Sequence, residues 1–172
     1  MIVTQDDETI EQILSSVESI CKKYPEKYWL ELDKAQSYPT EFVKSMTESG
    51  HLNALIPTKY GGAGLSLLIA VRILEKIHQS GCNAAAAHAQ MYTMGSILKY
   101  GSEAQKSKWL PLIAKGEVRL QAFGVSEPEA GTDTSSISTT AIRKENKYIL
   151  NGKKIWTSRA LHSDLMILLA KT

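Results

Sequence analysis

Two stretches, residues 122–134 (AFGVSEPEAGTDT) and residues 153–159 (KKIWTSR), hold most of the side chains in this sequence that could support chemistry. The first opens as an apolar run over residues 120–125, reads as a strand end, and breaks at Ser126, Glu127 and Pro128. Ala130, Gly131 and Thr132 then form a small-residue turn ahead of Asp133. Successive backbone N–H groups in such a turn can converge on an anion, and glycine lets the chain approach it closely. Ser126 and Thr132 add short neutral donors on either side. A loop of this kind suits a flat, polar-edged ring carrying a phosphate. The second stretch adds a large indole at Trp156 and hydroxyls at Thr157 and Ser158. The nearest carboxylates are Glu127 and Glu129. Glu127 directly precedes Pro128 and reads as part of the loop's shape, and Glu129 reads as solvated. Neither is assigned as a base.

Helices must carry the chain up to this point. Ile10, Ile13, Leu14, Val17, Ile20, Cys21 and Tyr24 fall on one stripe and predict a helix over residues 7–24, with Asp6, Asp7 and Glu8 at its start and Pro25 after its end. A linker with Trp29 and Leu32 leads to Pro39 and a second helix through Phe42, Val43 and Met46, stopped by Gly50. Residues 52–57 read as extended, and KYGGAG at 59–64, with three glycines in four positions, reads as a connector between helices; the family resemblance given below implies instead a place near the ligand cleft. Residues 65–79 and 83–99 follow as apolar helices. Met91, Tyr92 and Met94 on the second of these read first as core packing, since methionine at helical spacing is common in cores, with the lining of a pocket as the alternative. Ser102 and Gln105 form a capping box opening a helix over 103–114, closed by Gly116. From Val118 the period shortens. Residues 118–125, 136–143, 147–150, 153–158 and 165–170 read as strands, and Asn151-Gly152 as the strongest hairpin signal. The fold class is therefore α+β: an all-α helical domain over residues 1–117, then an incomplete antiparallel β domain over 118–172.

Composition bounds the function. Of 172 residues, 43% are hydrophobic and 22% charged, the range of a soluble globular protein. The opening MIVTQDDETI lacks the basic and apolar regions of a signal peptide, and a cytoplasmic location is expected. Cys21 and Cys82 form no CxxC pair and read as reduced, partly buried thiols. The four histidines show no metal-ligand spacing, so no metal is assigned. Residues 1–50 carry 5 lysines against 10 acidic residues, while the remainder is basic, which suits either a phosphate-rich ligand there or ordinary solvated helix faces. No basic run interleaved with aromatics points to nucleic acid.

The blocks SEPEAGTD and NGKKIWTSRA, together with YGGAG at 60–64 and YGSEAQKSKWLPLIAKGE at 100–117, resemble the acyl-CoA dehydrogenase family in the right order. The resemblance covers nearly all of this chain and about the first half of a family member. It implies a helical domain, a flavin-binding β domain and a closing helical bundle, of which the chain holds the first and the start of the second; by itself such a segment is expected to be inactive. It implies FAD as cofactor and an acyl-CoA substrate, oxidised to the 2,3-enoyl-CoA by loss of the α-proton and transfer of the β-hydride to flavin N5. It implies an electron-transfer flavoprotein or similar acceptor, and a homo-oligomer. In this sequence the cofactor-binding positions are Phe123, Val125 and Ser126 at the pyrimidine edge, and Gly131 and Thr132 at the pyrophosphate. Trp156 covers the ring, while Thr157 and Ser158 reach toward N5. Thr132 also meets the substrate. No catalytic residue is carried over, because the family's base lies later in the chain. Glu129, where a small residue is frequent, and Ser126, in place of Thr, depart from the common pattern. An oxidase or monooxygenase on the same fold, or a helical interaction module without cofactor, are the alternatives.

Overall fold

The apolar stripe that begins at Ile10 becomes helix α1, Asp7–Cys21, in a computed structural model that describes residues 7–172. The cap expected at Asp6 lies outside the described residues, as do the side chains of Asp7 and Glu8. α1 stops earlier than its stripe suggests, since the N–H groups of Lys23 and Tyr24 bond three residues back, to Ile20 and Cys21, and tighten the end into turns. The expected linker is instead helix α2, Glu26–Ala35, entered from an extended Pro25 with Glu26 in its first turn. α2 buries no residue fully, and its aromatics pack by their edges, with Trp29 5.0 Å from Phe42 between ring centres.

Helix α3, Thr40–Glu48, buries Phe42, Val43 and Met46 against Val17 and Ile20 of α1. Helix α4, Leu67–Gln79, adds Ile69, Ile73 and Ile77, with Ser66 accepting from the Ile69 N–H at its start. Helix α5, Ala85–Tyr100, contributes Ala86, Ala87 and Met91 to the same core. Its small residues let the helices approach closely, and each fully buried Phe or Ile contributes about 1.5–3 kcal/mol of transfer free energy. Helix α6, Glu103–Lys115, opens on the expected capping box, with Gln105 N–H to Ser102 Oγ at 3.2 Å and Ser102 N–H to Gln105 Oε1 at 2.8 Å. Residues 52–57 are not extended: a 3₁₀ turn runs His51–Asn53, and a second, Thr58–Tyr60, leads into the glycine loop.

Met91 and Met94 are buried, whereas Tyr92 is exposed and stacks on His88. Core packing thus accounts for both methionines. Cys21 and Cys82 are free and buried in the core. Burial, reinforced by the neighbouring Cys82 thiol, pushes the Cys21 thiol up to about 12. Native Cys21 should therefore react with iodoacetamide at least about a hundredfold more slowly than in the urea-unfolded chain. Equal rates, read by mass spectrometry, would contradict this burial.

The chain divides into two compact units, the second spanning Leu120–Thr172. In that unit strand β1, Leu120–Gly124, pairs with β4, Leu165–Leu168, and β2, Thr140–Lys144, pairs with β3, Lys147–Asn151. The β2–β3 pair is antiparallel, as expected, with its turn at Glu145 and Asn146. The Asn151-Gly152 hairpin is corrected: those residues end β3, and Gly152 lies so close over Thr139 that a Cβ would overlap its side chain. The β1–β4 pair is parallel, a correction to the antiparallel reading of this region. Its two strands lie some 40 residues apart, so no local turn declares their direction. Lys171 extends the region, taking the Ala141 N–H at 2.7 Å and giving its own N–H to Thr139 at 2.9 Å. Residues 153–158 form no strand.

Candidate functional site

β1 carries the first segment to the edge of its sheet and leaves it there. Phe123 is 38% exposed at the end of the strand, and Leu169 N–H closes on Gly124 at 3.0 Å. The chain then turns tightly over Pro128 and Glu129, held by Glu127 N–H to Ala130 O at 2.9 Å and Ala130 N–H to Glu127 O at 3.2 Å. Ala130 spends its N–H on this turn, so it is removed from the donors expected to converge on an anion. Gly131, Thr132 and Asp133 follow in the open. Asp133 caps a 3₁₀ turn, Thr134–Ser136, accepting from the Ser135 N–H at 3.0 Å and from the Ser135 and Ser136 hydroxyls. Those hydroxyls hold its carboxyl below the usual range.

The second segment is tied to the first. Ile155 N–H donates to Ser126 O at 2.9 Å, and Lys154 Nζ donates to Val125 O at 2.9 Å. Lys154 also pairs with Glu127 Oε1 at 2.8 Å, both side chains under a tenth exposed. Glu127 accepts further from Ser138 N–H at 2.6 Å, Ser138 Oγ at 2.7 Å and Thr139 N–H at 3.0 Å. The Lys154 ammonium, followed by the donors of residues 138–139, holds this carboxyl well below the usual carboxylate range. A carboxylate so occupied cannot take a substrate proton. Glu127 therefore shapes the loop, and Glu129 is exposed at its tip.

Immediately after the tie, Trp156 sits at φ 58°, in the left-handed region, and its indole is 86% exposed. A bulky residue there is strained by roughly 1–3 kcal/mol, and such strain persists only where the surroundings impose it. One residue upstream lies the bond from Ile155 to Ser126. Thr157 is half-buried, Ser158 exposed, and Arg159 again left-handed at φ 60°.

The arrangement leaves a particular set of donors unspent. Among the described residues, no partner takes the hydroxyls of Ser126, Thr132, Thr157 or Ser158, nor the N–H groups of Val125, Gly131 and Thr132. A Cβ placed on Gly131 would meet nothing within 4 Å, so the chain is open on that side. Neutral hydroxyls and N–H groups suit the carbonyl-rich edge of a ring and a pyrophosphate. FAD fits this donor set. Ser126 is part of the tie and Val125 precedes it, Trp156, Thr157 and Ser158 are the three residues after Ile155, and Gly131 and Thr132 lie beyond the Pro128–Glu129 turn. Lys154 is the residue a reading of the sequence misses. Its contact spans 27 residues, and one of two adjacent lysines announces no partner.

Comparison with known proteins decides the family. The description "Acyl-CoA dehydrogenase, N-terminal domain" matches residues 7–117, and "Acyl-CoA dehydrogenase, middle domain" matches residues 122–172. The chain belongs to the acyl-CoA dehydrogenase family. An acyl-CoA dehydrogenase of Bacillus subtilis is 35% identical over 144 residues, covering 82% of this chain and 38% of the relative. A solved acyl-CoA dehydrogenase from Geobacillus kaustophilus superposes with a TM-score of 0.88 at 29% identity, over 99% of this chain and 45% of that one. A chain from work on the electron transferring flavoprotein of Acidaminococcus fermentans is 31% identical with a TM-score of 0.85, over 100% of this chain and 45% of that one. This family member thus spans well under half the length of the relatives it matches. The helical domain followed by a β region is the architecture that the sequence resemblance implied. No described helix is long and apolar enough to cross a membrane.

Proposed function

We propose that this chain is the N-terminal portion of an FAD-dependent acyl-CoA dehydrogenase, with a helical domain over residues 1–117 and the start of the flavin-binding β domain over 118–172. The observation that supports this is the set of unspent neutral donors on two segments tied to each other through Ser126 and Ile155. Phe123, Val125 and Ser126 would hold the pyrimidine edge, Gly131 and Thr132 the pyrophosphate, and Trp156, Thr157 and Ser158 the ring face and its N5 side. FAD, when bound, supplies the acceptor for a hydride from the β-carbon of an acyl-CoA. The chain's own part is to bind and orient. Hydroxyls preset toward a ring edge lower the cost of charge developing there, and an indole over the ring keeps water from it. Thr132 would also touch the acyl-CoA. None of the described carboxylates at this site is offered as the base that takes the α-proton, since Glu127 and Asp133 are committed to other groups. An electron-transferring flavoprotein is the proposed acceptor, and a homo-oligomer the proposed assembly.

The test is the colour of the full gene product that carries this chain. FAD should co-purify, and Trp156→Ala should weaken its retention about tenfold, the value of one good aromatic contact. A colourless product that gains no bound absorbance on titration with FAD would remove the basis of this reading.

A further inference from the structure

We infer that Lys154 and Glu127 are positioning residues of the cofactor cradle, acting as a buried clasp that sets the two segments against each other. This rests on the FAD reading above and adds the device that regulates the shape of that site. Lys154 Nζ is shared between two acceptors on the first segment, Glu127 Oε1 at 2.8 Å and Val125 O at 2.9 Å. Glu127 uses both oxygens: Oε1 takes Lys154 and the Thr139 N–H at 3.0 Å, and Oε2 takes the Ser138 N–H at 2.6 Å and hydroxyl at 2.7 Å. The carboxylate is thereby fixed from both sides. One side is the segment bearing Trp156; the other is the backbone of residues 138–139, which enters β2.

The residues proposed to hold FAD flank this clasp on both segments. Val125 and Ser126 immediately precede Glu127, and Trp156, Thr157 and Ser158 follow Lys154 with only Ile155 between. The clasp lies beside the Ile155-to-Ser126 bond, directly before the left-handed Trp156. Neither charged group reaches the open side, because their polar atoms are turned to each other and to backbone. A buried ion pair adds little stability compared with an apolar pair of similar volume, but it fixes geometry, since either charge left alone is strongly disfavoured. Placed here, that geometry is the spacing of the unspent donors.

The test uses Lys154→Met, Glu127→Gln and the double variant of the full gene product. Deflavinated protein is titrated with FAD and followed by flavin fluorescence. Each single variant should weaken FAD binding at least about tenfold, and the double variant no more than the worse single, because both remove one shared contact. The midpoint potential of the flavin that remains should fall, as displaced donors no longer favour its reduced form. FAD affinity within twofold of wild type in the folded singles, or a loss in the double equal to the product of the singles, would overturn the clasp. Should Lys154→Met not fold, Glu127→Gln keeps shape and one acceptor and is read alone by the same criterion. A second measurement needs no FAD: the Ile155 amide should exchange with solvent at least about tenfold faster in either variant. Unchanged protection sinks the inference. Wild-type protein that binds no FAD, with Ile155 protection still lost in the variants, would sink the cofactor reading and leave the clasp standing.

Discussion

Alanine at Gly62 is expected to cost the helical unit about 3 kcal/mol, at the upper end for overpacking, because the added methyl has nowhere to go. A Cβ there would overlap the carbonyl and Cβ of Ile56. Ile56 is fully buried, and its carbonyl already accepts from the Gly64 N–H at 2.8 Å. Backbone cannot swing aside as a flexible side-chain end can, so relief must come from shifting the whole loop. For a domain of this size each kcal/mol lowers the melting temperature by roughly 4–8 °C, giving a drop of roughly 12–24 °C. Gly95, inside α5, meets nothing within 4 Å and offers the opposite sign. Gly95→Ala should raise stability by about 0.5–1 kcal/mol through helix propensity alone. Melting followed by far-UV circular dichroism reads both. If Gly62→Ala leaves the melting temperature unchanged or raises it, as Gly95→Ala should, the close contact at Gly62 does not exist in solution. The result also bears on the glycine loop's role, because a connector packed against Ile56 explains Gly62 without a ligand.

What could be read from the sequence follows how local each cause is. α1 and α4 carry long apolar stripes, and their periodicity marks them without a partner in view. The capping box at Ser102 and Gln105 is a four-residue signal and needs nothing else. α2 escaped because it buries no residue: its aromatics lean on Tyr24 and Phe42 by their edges, and an edge contact leaves no stripe. The parallel β1–β4 pair joins Leu120 to Leu165 across the length of the unit, and nothing near either strand states its direction. Lys153 to Ser158 has the composition of a strand, yet the Ile155 N–H is spent on the neighbouring loop rather than on a ladder. The same holds at the candidate site. Hydroxyls and glycine could be seen by type, whereas the pairing of Lys154 with Glu127, on which their spacing depends, is a tertiary fact.

Acid should loosen the β unit through Glu127, in a window that its environment defines. The folded carboxyl is held well below the usual range, chiefly by Lys154, while in the unfolded chain it returns to about 4. As pH falls below about 5, the unfolded chain takes up a proton that the folded chain refuses, so stability is lost. Above that the contribution is complete; below it, the loss continues until the folded carboxyl itself protonates. Asp133 moves in the same direction but is exposed, and it is present in both proteins to be compared. Glu127→Gln removes the titration and leaves the rest. The variant should be the less stable at pH 7, with Lys154 deprived of its counter-charge, and between pH 5 and 3 it should lose less stability than wild type, keeping only the part due to the other carboxyls such as Asp133. Wild type should fall toward it over that interval, so the two curves converge. Exchange rates of the Ser138 and Thr139 amides, which bond directly to this carboxylate, report the unit without interference from the helices. Parallel curves, with a constant gap from pH 7 to pH 3, would mean that the Glu127 carboxylate is not held by Lys154 and the 138–139 backbone.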